Sequence, residues 1–239
     1  GVYSMHMSNL EAREQLVEIG RRMYEKNYVA SNDGNLSMRV MDDEIWATPT
    51  GISKGFMRAA DMVRLKLDGT VISQGMFGPS SEIKMHLRIY RENPEVLGVC
   101  HAHPMMSTSF AVAGIALGEP IYPEAMVNFG SVPCVHYETP GSQGVPDSIA
   151  PYAKSHCAVL MANHGLVTWG RSLEEAWHRM EAVEHYAQIT FNTCYVMVKA
   201  NRLSGQQIDA LAEIRKSLGI HAGTLPQGLP DAVNLKDVL

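Results

Sequence analysis

Two histidines that are two positions apart are the first residues in this sequence whose spacing suggests chemistry. His101 and His103 follow the apolar run Val96–Cys100 and are followed at once by Pro104. Side chains at positions i and i+2 of an extended strand point to the same face. Since proline ends the strand, we expect both imidazoles at its tip, where they can converge on one metal ion.

A third histidine, His164, has a similar setting. It follows the apolar run Ala158–Ala162, which predicts a buried strand, and it precedes Gly165, which permits a sharp turn. Strand ends that share one edge of a sheet bring distant residues together. Three neutral imidazoles with an open coordination position are typical of a catalytic zinc site, and the same ligands also suit Mn²⁺, Co²⁺ or Fe²⁺.

Three short stretches of small polar residues can supply an anion site. They offer short side-chain donors and backbone N–H groups at Asn35, Thr50, Gly51, Ser80 and Ser81. The serine pair also precedes a predicted helix, whose N-terminal dipole and unpaired amides favour an anion. Glu82 follows the serines directly, so it can lie near both the anion and the metal, although the dipole alone also favours a carboxylate there.

The elements that must position these residues alternate along the chain. Spacing and capping patterns predict helices over 9–27, 105–113, 146–154, 172–199 and 205–218. A further helix of about 12 residues is predicted to begin at Pro79–Glu82. Alternating or apolar runs predict strands over 36–40, 44–48, 63–67, 70–74, 132–137, 158–162 and 167–170, besides the His101 strand. The hairpins favour a mostly antiparallel or mixed sheet with helices on both faces, a three-layer α/β/α fold. One domain over 1–239 with an irregular or mobile tail at 221–239 is the simplest organisation.

The composition excludes several classes of function. The 239 residues are 46% hydrophobic and 19% charged with a net charge of −5, which gives no reason to expect nucleic acid or an anionic membrane as partner. No apolar run approaches the roughly 20 residues that cross a bilayer. Four widely spaced cysteines fit free thiols better than disulfides, so we expect a cytoplasmic protein.

Five motifs, taken in order, resemble the class II aldolase/adducin superfamily. They are Gly34–Ser37, Thr48–Gly51, Pro79–Glu82, His101–His103 and Asn163–Gly165, and the likeness covers about 8–200. Within the superfamily, the L-fuculose-1-phosphate aldolases are the most similar group. The resemblance implies a central, mostly antiparallel sheet flanked by helices, and a homotetramer with active sites at subunit interfaces.

The resemblance also implies roles for individual residues. Asn35, Thr50, Gly51, Ser80 and Ser81 would bind the phosphate of a phosphorylated sugar, while His101, His103 and His164 would bind zinc together with Glu82. The implied reaction cleaves a ketose 1-phosphate into dihydroxyacetone phosphate and an aldehyde through a metal-stabilised enediolate. Glu82 would transfer the proton at C3, and Tyr122, supplied across the interface, would serve the C4 oxygen; Glu124 lies in the same region.

Relatives with other chemistry share these motifs. Ribulose-5-phosphate 4-epimerases typically carry Asp where this chain has Glu82. Methylthioribulose-1-phosphate dehydratases keep a histidine triad with a different acid, and other relatives cleave other deoxyketose 1-phosphates or decarboxylate sugar acids. Adducin heads are structural and bind no metal, and the intact triad argues against that class.

Overall fold

An eight-stranded sheet forms the centre of the computed structural model, which describes residues 7–228. The strands are β1 (Asn35–Met41), β2 (Glu44–Ala47), β3 (Val63–Lys66), β4 (Val71–Ser73), β5 (Gly98–Ala102), β6 (Cys134–Val135), β7 (Ala158–Met161) and β8 (Gly165–Gly170). Their order across the sheet is β4-β3-β2-β1-β5-β8-β7-β6. All neighbouring pairs are antiparallel except β6 and β7, which confirms the predicted mixed, mostly antiparallel sheet.

Helices cover both faces of the sheet. They are α1 (Asn9–Glu25), α2 (Ile83–Glu92), α3 (Met105–Ala113), α4 (Pro123–Asn128), α5 (Gly144–Ile149), α6 (Leu173–Thr190) and α7 (Gly205–Ser217). Buried side chains of β5 alternate between two cores, with Cys100 in the core beneath α1 and α6 and Val99 in the core beneath α2 and α5. This alternation follows the two-residue period of a strand and confirms the three-layer α/β/α fold.

The predicted long helix is shorter than its sequence pattern indicates. Ser172 caps α6 by accepting a hydrogen bond from the Glu175 backbone N–H at 3.0 Å, but the Glu175 carboxylate accepts from Arg171 rather than completing the capping box. The helix ends at Thr190, and a π-helical segment, Phe191–Val196, follows instead of a helix to 199. Aromatic and β-branched residues in that segment have low helix propensity.

Three other predicted elements differ from the structure. The strand expected over 132–137 contains only Cys134–Val135, because Pro133 lacks an N–H and this strand lies at the edge of the sheet. The helix expected over 146–154 is α5 followed by a 3₁₀ turn, Ala150–Tyr152. The helix α4, with Pro123 in its first turn, was not predicted, since six residues are too few to show a helical period.

The predicted tail is only partly described. Residues 221–228 contain neither helix nor strand, and the remainder of the tail, 229–239, lies outside the described residues together with 1–6. Between positions 7 and 228, no helix is both long enough and apolar enough to cross a membrane.

Candidate metal centre and substrate site

Three strands bring the predicted site residues to one edge of the sheet. β5 is antiparallel to both β1 and β8, so the C-terminal end of β5 lies beside the N-terminal ends of its two neighbours. Asn35 at the start of β1 pairs with His101, and His164 immediately precedes β8. His103 lies two residues beyond His101, just after β5 ends. The strand register therefore assembles residues that are far apart in the sequence.

The turn before β8 depends on two residues with different roles. Asn163 carries the left-handed backbone conformation, with φ of 61°, which asparagine tolerates better than most residues. Gly165 allows a close approach, because a Cβ at this position would lie 2.7 Å from the Ala102 oxygen and 2.7 Å from His103 Cδ2. The sharp turn expected beside Gly165 lies at 162–164, directly before it, and Gly165 itself begins β8 and permits close packing against His103.

The three histidine rings surround one point. Their ring centroids are 5.1 Å (His101–His103), 4.8 Å (His101–His164) and 5.2 Å (His103–His164) apart. One ligand atom from each lies within 4.8 Å of the others. His101 Nδ1 donates to the Leu166 oxygen at 2.9 Å, which leaves the lone pair on Nε2. His103 Nδ1 lies 3.4 Å from an Asp33 carboxylate oxygen, so its Nε2 also remains available.

Glu82 closes this group of histidines from the opposite side. It is the N-cap residue of α2, and its carboxylate oxygens lie 3.3 Å from His101 Nε2 and 3.0 Å from His164 Nε2. Burial alone raises the pKa of Glu82, but the electrostatic effect of the neighbouring His101 and His164 outweighs burial and holds it below its usual range. The carboxylate is therefore ionised and faces the triad.

Several polar atoms at this point are buried without a hydrogen-bond partner among the described residues. They are Glu82 Oε1, His101 Nε2 and His103 Nε2. Burial and the neighbouring His101 and His164 lower the pKa of His103 to about 4, so its imidazole is neutral and offers a lone pair. Lone pairs that face one another repel unless a cation lies between them. The donor set therefore fits a divalent metal, and Zn²⁺, Mn²⁺, Co²⁺ and Fe²⁺ all accept imidazole and carboxylate ligands.

The loop that contains Thr50 and Gly51 and the loop that contains Ser80 and Ser81 lie side by side next to Glu82. The Thr50 N–H donates to the Gly78 oxygen at 2.9 Å, and Pro49 and Pro79 form an isolated β-bridge. Ser80 Oγ accepts a hydrogen bond from the Glu82 N–H at 3.2 Å, which connects the serine pair to the metal site. The phosphate-binding roles of Thr50, Gly51, Ser80 and Ser81 stay predictions, and the loops are close enough to act together.

Asn35 has two side-chain contacts that the sequence did not reveal. Its Nδ2 donates to Glu82 Oε2 at 2.9 Å, and its Oδ1 lies 2.6 Å from His86 Nε2. Its predicted role in binding phosphate stays a prediction. His86 was not predicted as a site residue, although it follows Glu82 by four positions and so shares its face of α2.

Tyr122 lies apart from the triad, in what we call the Tyr122 groove. This groove has a volume of about 460 Å³, and its lining includes Tyr28, Tyr122, Glu124, Glu181, Glu184 and His185. The Tyr122 ring lies 6.0 Å from the His185 ring, measured between centroids. Neither Glu82 nor any of the three triad histidines lines this groove. Within one chain, the structure does not bring Tyr122 together with the other predicted site residues.

Comparison with known proteins agrees with this geometry. The family model described as "Class II Aldolase and Adducin N-terminal domain" matches residues 14–191, which include all three histidines and Glu82. The chain belongs to this family. The resemblance inferred from the five motifs is therefore confirmed.

Individual relatives carry two different names. The chain is 33% identical over 183 residues to the 3-oxo-tetronate 4-phosphate decarboxylase of Escherichia coli strain K12, which covers 75% of this chain and 85% of the relative. It is 30% identical over 178 residues to the L-fuculose phosphate aldolase of Methanocaldococcus jannaschii, which covers 74% of this chain and 94% of the relative.

A solved structure is similar in fold. A putative aldolase/epimerase/decarboxylase from Escherichia coli superposes with a TM-score of 0.79 at 30% identity, covering 85% of this chain and 98% of that protein. Together, these relatives agree on the family and divide between a decarboxylase and an aldolase.

Proposed function

We propose that this protein is a metal-dependent carbon–carbon lyase that cleaves a ketose 1-phosphate, similar to L-fuculose 1-phosphate, into dihydroxyacetone phosphate and an aldehyde. The observation that carries this proposal is the position of Glu82. Its ionised carboxylate lies 3.3 Å from His101 and 3.0 Å from His164, directly after the serine pair. A proton-transfer group thus lies between a metal centre and a candidate phosphate site.

Each part of the site has a role in this reaction. His101, His103 and His164, with Glu82, would hold the divalent cation. When bound, the cation supplies a Lewis acid that stabilises the negative charge developing on the ketone oxygen. Ser80, Ser81, Thr50 and Gly51 hold the phosphate and so orient C3 of the substrate towards Glu82. Glu82 then moves the proton at C3, because a carboxylate within reach of that carbon is a suitable general acid and base.

Aldol cleavage also needs a group that takes the proton of the C4 hydroxyl. Tyr122 fills this role in our proposal, and it does so from a neighbouring copy of the chain in a homotetramer. Its position in the Tyr122 groove supports this arrangement, since no triad histidine lines that groove.

Decarboxylation of a phosphorylated 3-oxo sugar acid is the second candidate. It is supported by the 33% identity to a 3-oxo-tetronate 4-phosphate decarboxylase. Loss of CO₂ from a 3-oxo acid leaves the electron pair on the carbon next to the ketone, as aldol cleavage does. It needs no base for a hydroxyl proton, so the residues around Glu82 in one chain would suffice.

A substrate panel tests these alternatives directly. The metal-loaded protein is incubated with L-fuculose 1-phosphate, a 3-oxo-tetronate 4-phosphate, ribulose 5-phosphate and methylthioribulose 1-phosphate. We expect dihydroxyacetone phosphate and an aldehyde from the ketose 1-phosphate. Dihydroxyacetone phosphate with CO₂ from the oxo acid alone would support the decarboxylase. An epimer or a dehydrated product without dihydroxyacetone phosphate would contradict both lyase assignments.

Substitution of Glu82 tests its role in proton transfer. Glu82→Gln should retain the metal, because three imidazoles remain, but should lose exchange of the C3 proton of dihydroxyacetone phosphate with solvent. Glu14→Gln, at an exposed position of α1, is the matched control and should exchange at the wild-type rate. Exchange that persists in Glu82→Gln would exclude this role.

A further inference from the structure

A chain of hydrogen bonds leads from the Glu82 carboxylate into the core beneath α2. Asn35 Nδ2 donates to Glu82 Oε2 at 2.9 Å, and Asn35 Oδ1 lies 2.6 Å from His86 Nε2. His86 Nδ1 lies 2.6 Å from Ser37 Oγ, which in turn lies 2.8 Å from the Tyr90 hydroxyl. We call this series, Glu82–Asn35–His86–Ser37–Tyr90, the buried relay. No step of the proposed reaction requires its inner three residues.

The direction of every hydrogen bond in the buried relay follows from its first contact. Asn35 donates through Nδ2 to Glu82 Oε2, so the other end of the amide, its oxygen, faces His86. That oxygen accepts, so His86 carries its proton on Nε2 and has a lone pair on Nδ1. Ser37 must therefore donate to Nδ1, and Tyr90 must donate to Ser37. All the donors point towards Glu82.

The surroundings support a neutral His86. Its side chain is fully buried, as is Ser37, and Tyr90 is only 1% exposed. Burial first, and then the neighbouring His101, lower the pKa of His86 to about 3. A neutral imidazole has one donor and one acceptor, which are the two functions that Asn35 and Ser37 require of it. Both ring nitrogens therefore have partners.

An alternative role for the buried relay is proton conduction, and the chemistry of Asn35 argues against it. An amide neither gains nor loses a proton near neutral pH, so a proton cannot pass from His86 through Asn35 to Glu82. What the amide can transmit is orientation. Without the His86 N–H, the Asn35 oxygen would lose its donor, and the amide would be held towards the carboxylate at one end only.

We propose that His86 is a positioning residue for Glu82. Its Nε2–H holds the Asn35 amide in the one orientation that donates to the carboxylate, and so keeps Glu82 aligned with the triad. The effect on catalysis rests on the proposed function, whereas the hydrogen-bond pattern does not. Outer residues that orient a metal ligand commonly change metal affinity or activity by about 10–100-fold when they are replaced.

Two substitutions of His86 separate its two hydrogen bonds. The glutamine NH₂ group reaches roughly as far as Nε2 of histidine, so His86→Gln keeps a donor for Asn35 and loses the acceptor for Ser37. The asparagine side chain reaches only as far as Nδ1, so His86→Asn can keep the contact with Ser37 and loses the donor to Asn35. Each variant therefore removes one buried hydrogen bond, and the two should have similar melting temperatures.

Two quantities are measured for each variant: the rate at which the C3 proton of dihydroxyacetone phosphate exchanges with solvent, and the affinity for Zn²⁺. We expect His86→Asn to lower the exchange rate about 30-fold and to weaken Zn²⁺ binding about tenfold. We expect His86→Gln to remain within about threefold of wild type in both. Equal losses in the two variants, in proportion to their melting temperatures, would show a purely structural role and overturn the proposal.

A measurement on the wild-type protein keeps the test independent of activity and of the folding of variants. Nitrogen NMR of the ¹⁵N-histidine-labelled protein reports the tautomer of His86, and the His86→Gln spectrum assigns its signals. We expect a neutral ring protonated on Nε2 from about pH 5 to pH 9. A ring protonated on Nδ1 would overturn the proposal. If wild type lacks proton exchange but shows the Nε2–H tautomer and the difference in Zn²⁺ affinity between the two variants, the proposed function fails and the positioning role stands.

Discussion

The metal site and the Tyr122 groove are built in contrasting ways. At the metal site, Glu82, Asn35 and the three histidines lie at the ends of β1, β5 and β8 and are largely buried, with each side chain held by a named contact. In the Tyr122 groove, Tyr122 and Glu124 flank the start of a six-residue helix and face open space of about 460 Å³. The first region is assembled from three strands of one chain, and the second is an open groove.

This contrast indicates which half of the proposed reaction a single chain can perform. In the proposed reaction, proton transfer at C3 needs Glu82, the three histidines that would hold the metal, and the candidate phosphate-binding residues Ser80 and Ser81, which all belong to one chain. Release of the aldehyde needs a group for the C4 hydroxyl, and in our proposal Tyr122 supplies that group to a neighbouring copy of the chain. Substitutions in the two regions should therefore affect different steps.

Removing a triad histidine should have the largest effect. His103→Ala deletes one of three imidazoles and should weaken Zn²⁺ binding by more than about 100-fold, since even indirect partners of ligands cost about 10–100-fold. His185→Ala, in the Tyr122 groove, should leave Zn²⁺ affinity unchanged. Metal content after dialysis and calorimetric titration measure both. Comparable losses in the two variants would abolish the distinction between the regions.

A pair of lysines contrasts a buried amine with an exposed one. Lys54 is 1% exposed, donates to the Asn32 and Ile52 oxygens at 3.0 and 2.8 Å, and burial lowers its pKa from 10.5 to about 8. Between these pH values, the unfolded chain binds more protons than the folded one, so Lys54 makes the free energy of unfolding rise with pH. The rise should be about 3 kcal/mol from pH 8 to pH 10.5.

Chemical denaturation across that pH range measures the rise. Lys54→Met should remove it, while Lys26→Met, whose side chain is 52% exposed in the Tyr122 groove, should change the free energy of unfolding by less than about 0.5 kcal/mol at each pH. A wild-type profile and a Lys54→Met profile of the same shape would exclude this contribution.

Substitution of Tyr122 should separate the two half-reactions. Tyr122→Phe should lower the rate of cleavage about 100-fold, the usual loss for a general acid or base, and leave proton exchange in dihydroxyacetone phosphate within about twofold. Mixing Tyr122→Phe with Glu82→Gln under conditions that exchange subunits should restore part of the cleavage activity. If mixing restores none, although hybrid oligomers form, Tyr122 does not act across an interface.

The smallest effect on catalysis is expected from substitution of Ser80, one of the candidate phosphate-binding residues. Ser80→Ala removes one hydroxyl and should raise the KM for a phosphorylated substrate about tenfold, the usual cost of one hydrogen bond to a charged group. Inhibition by inorganic phosphate should weaken by the same factor. Ser109→Ala, at an exposed position of α3, is the control and should change neither value. A Ser80→Ala variant with wild-type phosphate inhibition would place the anion elsewhere.

Much of the fold could be predicted because its signals are local. A capping box formed by Ser8 and Glu11 lies at the start of α1, where the capping pattern predicts a helix, and alternating or apolar runs locate β1 to β5. Predictions failed at two element ends, where residues unfavourable to the element fall inside the predicted bounds. The run after Thr190 changes from α-helical to π-helical backbone, and Pro133 shortens β6 to two residues.

The site was partly predictable for a related reason. His101, His103 and His164 were recognisable because each adjoins an apolar strand, and the structure brings all three rings together. In the sequence, Asn35 is recognisable only as a small polar residue in a loop. The only sequence feature that connects His86 with the site is its spacing of four residues from Glu82 on a helix. Their hydrogen bond joins residues 51 positions apart, and no local pattern encodes a contact of that kind.

The sequence by itself determined the family, the ligand types and the strand ends that carry them, because residue identity and short-range periodicity are sufficient for these. Only the tertiary structure decided that Asn35 lies opposite His101, that His86 lies behind Asn35, and that Tyr122 lies in a separate groove. These facts depend on the antiparallel register of β1, β5 and β8 and on how α2 packs against the sheet. Register and packing are set by the summed burial of the whole core, which no single segment of the sequence contains.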